Sequence, residues 1–182
     1  MTETDNPVLK KIPGYYSLHL QYAADLNQAL LQGYLRHSAK GSSRGTHFYQ
    51  GRYENIYIDR VLIPEIDQVL HMACTAAATI LEIDVHSLKA GLWFNAMPPG
   101  SRTLKHAHDD DDELLSAVYY VSVPEHSGQL TLYAGDFCTH VVPQAGMFVF
   151  FPPTVQHDVS ENCSQELRLS LGINIGPVNR LD

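Results

Sequence analysis

The chain has 182 residues, of which 45% are hydrophobic and 18% are charged. This balance is typical of a globular domain with a sizeable core, and it excludes a disordered chain. The formal net charge of -8 repels phosphate backbones, so nucleic acid is not expected as a partner.

The three cysteines, Cys74, Cys138 and Cys163, are an odd number without a CxxC spacing. This pattern favours reduced thiols over a disulfide framework or a zinc site. The sequence contains no apolar stretch near the ~20 residues of a membrane span and no apolar signal segment at its start. We therefore expect a cytoplasmic protein without a membrane partner, and the sequence is compatible with a homodimer.

Residues 1–85 are predicted to form an N-terminal support made of an edge strand and two helices. A weak alternation over residues 15–20 predicts the strand. The first helix is indicated by apolar residues at helical spacing, namely Ala23, Leu26, Leu30 and Tyr34. The second helix begins at Pro64, and its apolar stripe consists of Ile66, Val69, Leu70, Ala73, Ala77, Ile80 and Leu81. Both helices are expected to cover one face of a β core.

The segment between these helices, residues 39–53, is rich in glycine, serine and other polar residues. We predict a solvated loop here. The alternative is a lid near a substrate, because Arg44, His47 and Arg52 provide several side chains that could reach a ligand.

From residue 86 to residue 176 the pattern changes to short strands separated by turn residues. The predicted strands are 88–96, 104–108, 115–123, 129–133, 139–142, 147–151, 157–159 and 167–175. Many short strands at regular spacing are typical of a sandwich, a jelly roll or a small barrel. Residues 1–182 are therefore predicted to be a single, β-dominated α+β domain.

Three residues of this second part are candidate metal ligands: His108, Asp110 and His157. Residues two apart in a strand point to the same face, which predicts that His108 and Asp110 act together. Two imidazoles and one carboxylate form the facial triad of non-haem Fe(II) oxygenases, although Mn(II), Zn(II) and Ni(II) accept similar ligands. A set of His106, His108 and His157 is the alternative, and the acidic run 109–113 is otherwise predicted to be a solvated turn.

Arg168-x-Ser170 is predicted to bind an anion. The two side chains share a strand face, a buried arginine needs an anionic partner, and its planar fork suits a carboxylate. An internal salt bridge beside an ordinary strand serine is the alternative. Tyr120 and Asn95 could hydrogen-bond the same ligand or serve the structure alone, and Trp93 is predicted to be a packing residue.

Alternation over residues 115–123 predicts which side of the strand carries Tyr120. Ser116 and Val118 should share its face, and the opposite face should carry Ala117, Tyr119 and Val121.

The order of the motifs is more specific than any one of them. They are Gly91–Asn95, His108-x-Asp110, Leu115–Val121, Pro124 with Ser127-Gly128, Pro143 with Gly146, Phe148–Phe151, His157 and Arg168-Leu-Ser170. Together, over roughly residues 88–176, they resemble the 2-oxoglutarate/Fe(II)-dependent oxygenase superfamily, and within it the small bacterial and phage oxygenases related to the prolyl hydroxylases. The acidic run Asp109–Glu113 departs from that pattern.

The resemblance implies that residues 86–176 form a double-stranded β-helix, a cupin-like jelly roll whose facial triad holds Fe(II). It implies 2-oxoglutarate as cosubstrate, with its distal carboxylate bound by Arg168, Ser170 and Tyr120 and with Asn95 near it. The implied reaction uses O2 to hydroxylate a small-molecule or peptide substrate and releases succinate and CO2. Two alternatives stay open: a cupin-type metalloenzyme with a three-His site that does not use 2-oxoglutarate, and a non-catalytic module that binds a carboxylate or a protein partner.

Overall fold

The computed structural model describes residues 8–107 and 112–178. The α-helices among the described residues are α1 (Ala24–Ala39) and α2 (Glu65–Leu81). The strands are β1 (Leu9–Ile12), β2 (Tyr15–His19), β3 (Ser43–Tyr49), β4 (Arg52–Ile58), β5 (Leu88–Met97), β6 (Thr103–His106), β7 (Leu115–Ser122), β8 (Leu130–Ala134), β9 (Phe137–Val141), β10 (Met147–Phe151), β11 (Gln156–Val159) and β12 (Arg168–Pro177).

These strands form two sheets in which neighbouring strands are antiparallel. The larger sheet has the order β1-β2-β10-β7-β12-β5-β4-β3, and the smaller sheet has the order β6-β11-β8-β9. The eight strands predicted within residues 86–176 are all found, with bounds that agree to within two residues over the described part of the chain. The predicted β-dominated α+β class is confirmed.

The main hydrophobic core lies where the two helices pack on the larger sheet. Val69 and Ala73 of α2 are completely buried in it, together with Phe94 of β5 and Leu171 of β12. Burial of each large apolar side chain stabilises the fold by about 1.5–3 kcal/mol, so the predicted apolar stripe explains why α2 docks here. Neither of the described helices is long and apolar enough to cross a membrane.

The strand β7 separates this core from a second environment. Its residues Ala117, Tyr119 and Val121 belong to the core beneath the helices. Tyr120 instead belongs to a smaller apolar cluster and lines a cavity with Ser116 and Val118. The predicted alternation along this strand is confirmed.

Two expectations for the N-terminal half are wrong. The strand at residues 15–19 is not at the edge of its sheet, because β1 pairs with its outer side and β10 with its inner side. Residues 39–53 are not a loop, because β3 and β4 form a hairpin in which Ser43 pairs with Ile58 and Tyr49 pairs with Arg52. Backbone pairing, which does not require apolar side chains, holds this polar segment. Strands from both sides of residue 85 thus share the larger sheet, and the division of one domain into support and core stays a prediction.

Candidate active site

A cavity of about 410 Å³ is lined by strands of both sheets. The larger sheet contributes side chains of β5, β7 and β12 from the face opposite the helix-covered core, and the smaller sheet contributes side chains of β6 and β11. This volume falls within the range of small-molecule sites, which is roughly 300–1,000 Å³.

The four predicted cosubstrate-binding residues come together on one wall of this cavity. Ser170 of β12 lies directly opposite Asn95 of β5 on one side and directly opposite Tyr120 of β7 on the other. Directly opposed residues of antiparallel strands project from the same face, and Arg168 shares that face because it precedes Ser170 by two positions. All four residues line the cavity.

The environment of Arg168 is unusual for a charged residue, because its side chain is only 1% exposed. Its Nη1 donates a hydrogen bond of 3.3 Å to the carbonyl oxygen of Ser127 and lies 3.8 Å from the sulfur of Met97. The guanidinium carbon is 5.4 Å from the ring centroid of Tyr120. Within residues 8–107 and 112–178 no acidic side chain forms an ion pair with Arg168, so the internal salt bridge is not found there.

Burial shapes the ionisation of this wall. It lowers the pKa of the Arg168 guanidinium, and the nearby Tyr120 opposes that effect; the group still stays charged because its ordinary pKa is so high. Burial also raises the pKa of Tyr120, which the charge of Arg168 partly offsets. Over the described residues, neither the Tyr120 hydroxyl group nor Arg168 Nε makes a well-formed hydrogen bond. The wall therefore presents a cation and a neutral donor to a ligand.

His157 is the predicted metal ligand whose position the structure describes. It lies on β11, is 6% exposed and lines the cavity. Its Nδ1 is 3.1 Å from the carbonyl oxygen of Val155, and the ring of Phe151 meets it edge-on at 4.9 Å. These contacts fix the orientation of the imidazole.

His106, the alternative ligand, lies beside His157. It is the last residue of β6, pairs directly with His157 across the strands and also lines the cavity. His108 and Asp110 lie outside the described residues. No cluster of three possible ligands occurs within the part of the chain that the structure describes, so both predicted ligand sets stay predictions.

Arg52 belongs to the segment predicted as a loop, and its side chain supports the strand β5 that lines the cavity. From β4 its Nη1 donates to the backbone of Ala96 at 3.2 Å and to Asn95 Oδ1 at 3.4 Å, both on β5. Its Nη2 donates to Glu54 at 3.1 Å and to the carbonyl oxygen of Arg102, before β6, at 3.0 Å. These hydrogen bonds connect the hairpin to the cavity wall. The sequence feature that could have indicated this role of Arg52 is the Arg-x-Glu spacing, which places Arg52 and Glu54 on one strand face.

Trp93 is the only tryptophan of the chain and lines the cavity, as well as packing as predicted. It lies directly opposite Gly172 of β12, and a Cβ atom at that glycine would overlap the indole ring. The glycine therefore permits the close approach of Trp93. The fluorescence of this single indole should therefore change when a ligand binds in the cavity.

No protein-family model matches the chain, and no curated protein matches it by sequence. Solved structures do match it. The chain is similar to a prolyl-4-hydroxylase from Pseudomonas putida, with 26% identity, 90% of this chain and 92% of that chain covered, and a TM-score of 0.73.

Two further matches share the fold at lower identity. One is the epimerase SnoN from nogalamycin biosynthesis, solved with Fe3+, α-ketoglutarate and nogalamycin RO, with 15% identity, 90% of this chain and 79% of that chain covered, and a TM-score of 0.72. The other is a prolyl hydroxylase from Trichoplax adhaerens in complex with a peptide of a hypoxia inducible factor, with 13% identity, 90% and 84% coverage, and a TM-score of 0.66. The predicted jelly-roll core is confirmed by these likenesses, and the chain belongs to the 2-oxoglutarate/Fe(II)-dependent oxygenase superfamily.

Proposed function

We propose that the protein is an Fe(II)- and 2-oxoglutarate-dependent dioxygenase that hydroxylates a small-molecule or peptide substrate and releases succinate and CO2. The observation that carries this proposal is the Arg168 guanidinium, buried in a cavity wall without an acidic partner among the described residues. A buried charge of this kind is costly unless something compensates it. A dicarboxylate ligand would provide the missing negative charge.

The chain's own residues would bind and orient this cosubstrate. Arg168 offers two parallel N–H donors, which match the two oxygens of a carboxylate. Ser170 and Tyr120, its neighbours on the same face, would each add a neutral hydrogen bond. Asn95 stands on the other side of Ser170 and is itself held by Arg52.

The donor chemistry of the opposite wall fits iron. Imidazoles are suitable ligands for Fe(II), and His157 already has the backbone contact that orients metal-ligating histidines. His157 and His108 would hold the metal together with either Asp110 or His106. When bound, the metal supplies the activation of O2 that no side chain can provide.

An anaerobic titration tests the proposal. Addition of 2-oxoglutarate to Fe(II)-loaded protein should produce a visible charge-transfer band and change the fluorescence of Trp93, which lines the same cavity. Arg168→Met should weaken this binding by about 2–5 kcal/mol, or roughly thirtyfold or more, because a buried charge pair loses one partner. Wild-type affinity in this variant, or no spectral response in the unsubstituted protein, would contradict the proposal.

The other function classes make different predictions for the same experiments. A three-His enzyme that does not use 2-oxoglutarate should tolerate Arg168→Ala, and a non-catalytic module should form no succinate with any substrate. The pairing of His106 with His157 favours His106 as a metal ligand, but it does not distinguish an enzyme that uses 2-oxoglutarate from one that does not. The buried Arg168 favours the use of a keto acid. The oxygenase is the function that accounts for both walls.

A further inference from the structure

We propose that His106 and His157 bind the same metal ion, so that His106 is a ligand that the His-x-Asp pattern omits. This inference rests on the proposed function, because it concerns the metal of the same site. It assigns a role to a residue outside the facial triad indicated by the sequence.

The first support is strand register. His106 and His157 are direct partners of the antiparallel strands β6 and β11. Side chains at such positions project from the same face with their Cβ atoms about 4.5–5.5 Å apart. Both side chains line the cavity, so the two imidazoles are presented together to its interior.

The second support is the distance between the rings. Their centroids are 4.3 Å apart, and their planes are inclined at 52°. Two imidazoles bound at right angles to one metal, with metal–nitrogen bonds of ~2.1 Å, have centroids about 4.6 Å apart. The observed separation is close to that value, and the inclined planes differ from those of a stacked pair.

The third support is the way in which both rings are held. His106 Nδ1 is 2.8 Å from the carbonyl oxygen of Leu104, and His157 Nδ1 is 3.1 Å from that of Val155, in each case two residues earlier. Because a carbonyl only accepts, Nδ1 is the donor in both rings, and Nε2 becomes the nitrogen suited to a metal. Metal-ligating histidines usually donate their other N–H in this manner.

The two histidines differ in their surroundings. His157 is 6% exposed, whereas His106 is exposed at the end of its strand. Substitution of His106 therefore leaves no cavity in the core. Imidazole donors suit Fe(II), Co(II), Ni(II) and Zn(II) rather than Mg(II), which allows Co(II) to serve as a spectroscopic probe.

The test is an anaerobic Co(II) titration without 2-oxoglutarate, followed by visible absorption. His106→Gln and His157→Gln should each weaken Co(II) binding more than about hundredfold, since loss of an outer-shell partner alone costs ~10- to 100-fold. His71→Gln, on the exposed side of α2, is the matched control and should bind Co(II) normally. Unchanged affinity and spectrum in His106→Gln would overturn the proposal.

A second substitution at His106 distinguishes loss of a metal ligand from a structural effect of the glutamine side chain. His106→Cys should place a thiolate on the metal and produce a sulfur-to-cobalt charge-transfer band that the unsubstituted protein lacks. A role in packing alone predicts no such band, and its absence would overturn the proposal even if His106→Gln fails to fold.

Failure of this inference can be told apart from failure of the proposed function. The Co(II) experiments involve neither 2-oxoglutarate nor turnover. If His106 proves not to be a ligand, the effect of Arg168→Met on 2-oxoglutarate binding remains to support the oxygenase. If 2-oxoglutarate does not bind, the shared metal of His106 and His157 is unaffected.

Discussion

Arg168 carries a positive charge into the interior of the protein, where its side chain is 1% exposed. Two weak contacts, with the Ser127 carbonyl oxygen and the Met97 sulfur, replace only part of its hydration. The ligand-free protein therefore bears a desolvation cost that a bound carboxylate would offset. Stability and binding make opposite demands on this residue, as is common at functional sites.

Arg168→Met should accordingly raise the free energy of unfolding of the ligand-free protein, by about 1–4 kcal/mol, while it weakens the binding of 2-oxoglutarate by about 2–5 kcal/mol. Urea denaturation followed by far-UV circular dichroism measures the first effect. Arg168→Lys, which keeps a charge but loses the planar fork, is the control and should not be stabilised. A less stable methionine variant would show that Arg168 is primarily structural.

Tyr119 and Tyr120 are neighbours on one strand with opposite environments, and they form a matched pair of substitutions. Tyr119 donates a hydrogen bond of 2.6 Å to Asn27 Oδ1 beneath the helices. Tyr119→Phe leaves that acceptor without its donor and should cost about 1–3 kcal/mol of stability, with no effect on the ligand. Tyr120→Phe should leave ligand-free stability unchanged and weaken 2-oxoglutarate binding by about 0.5–1.5 kcal/mol. Urea denaturation and the Trp93 fluorescence titration measure the two effects, and a reversed pattern would contradict the assigned faces.

At the scale of elements, β12 serves both environments through its alternation. Leu169, Leu171, Ile173 and Ile175 belong to the core under the helices. The intervening residues, Arg168, Ser170, Gly172 and Asn174, line the cavity. The strand period of two residues thus supplies core stability and a binding wall from one segment.

Gly172 limits the position of the indole on that wall. Gly172→Ala should displace Trp93, because the added methyl group would overlap its ring, and overpacking of this kind costs about 1–3 kcal/mol. The emission maximum of Trp93 should shift. Gly91→Ala is the control. Gly91 lies on β5, the strand that also carries Trp93, and a Cβ atom there meets no neighbour within 4 Å. The emission maximum of Trp93 should therefore stay the same in this variant. Identical spectra in all three proteins would contradict this packing.

The elements that could be predicted from the sequence are those with apolar periodicity. The stripe of α2 and the strands of residues 86–176 repeat their apolar residues clearly, whereas β3 and β4 carry many polar side chains. The hairpin is held by backbone pairing and by Arg52, whose hydrogen bonds reach residues more than 40 positions away. Partners so distant along the chain cannot be predicted from the residues that surround Arg52 in the sequence.

The residue types that line the candidate site could be predicted from the sequence, but the pairing register of the strands that carry them could not. Alternation indicated that Arg168 and Ser170 share a face, yet the row from Asn95 through Ser170 to Tyr120 depends on pairing between three strands. The choice between His106 and Asp110 is of the same kind. It depends on which residue lies opposite His157, and that relation is set by the sheet.

At the scale of the whole molecule, several tyrosines of the larger sheet and its helices are buried as neutral groups. Burial is the principal cause that raises the pKa of Tyr34, Tyr119 and Tyr120 above the ordinary value of 10.0. In the unfolded chain these phenols titrate near pH 10. Below that pH both states are protonated, and their contribution to stability is fully present.

As the pH rises above 10, the unfolded chain releases phenolic protons that the folded protein retains, so the free energy of unfolding must fall. Each such tyrosine lowers it by up to about 1.4 kcal/mol per pH unit. Urea denaturation at a series of pH values between 8 and 11 (a window set by the ordinary tyrosine pKa of about 10) measures the slope. Tyr119→Phe has one titrating phenol fewer and should show a shallower decline than the unsubstituted protein. Equal slopes would mean that Tyr119 ionises as readily in the fold as in water, which its burial and its hydrogen bond to Asn27 oppose.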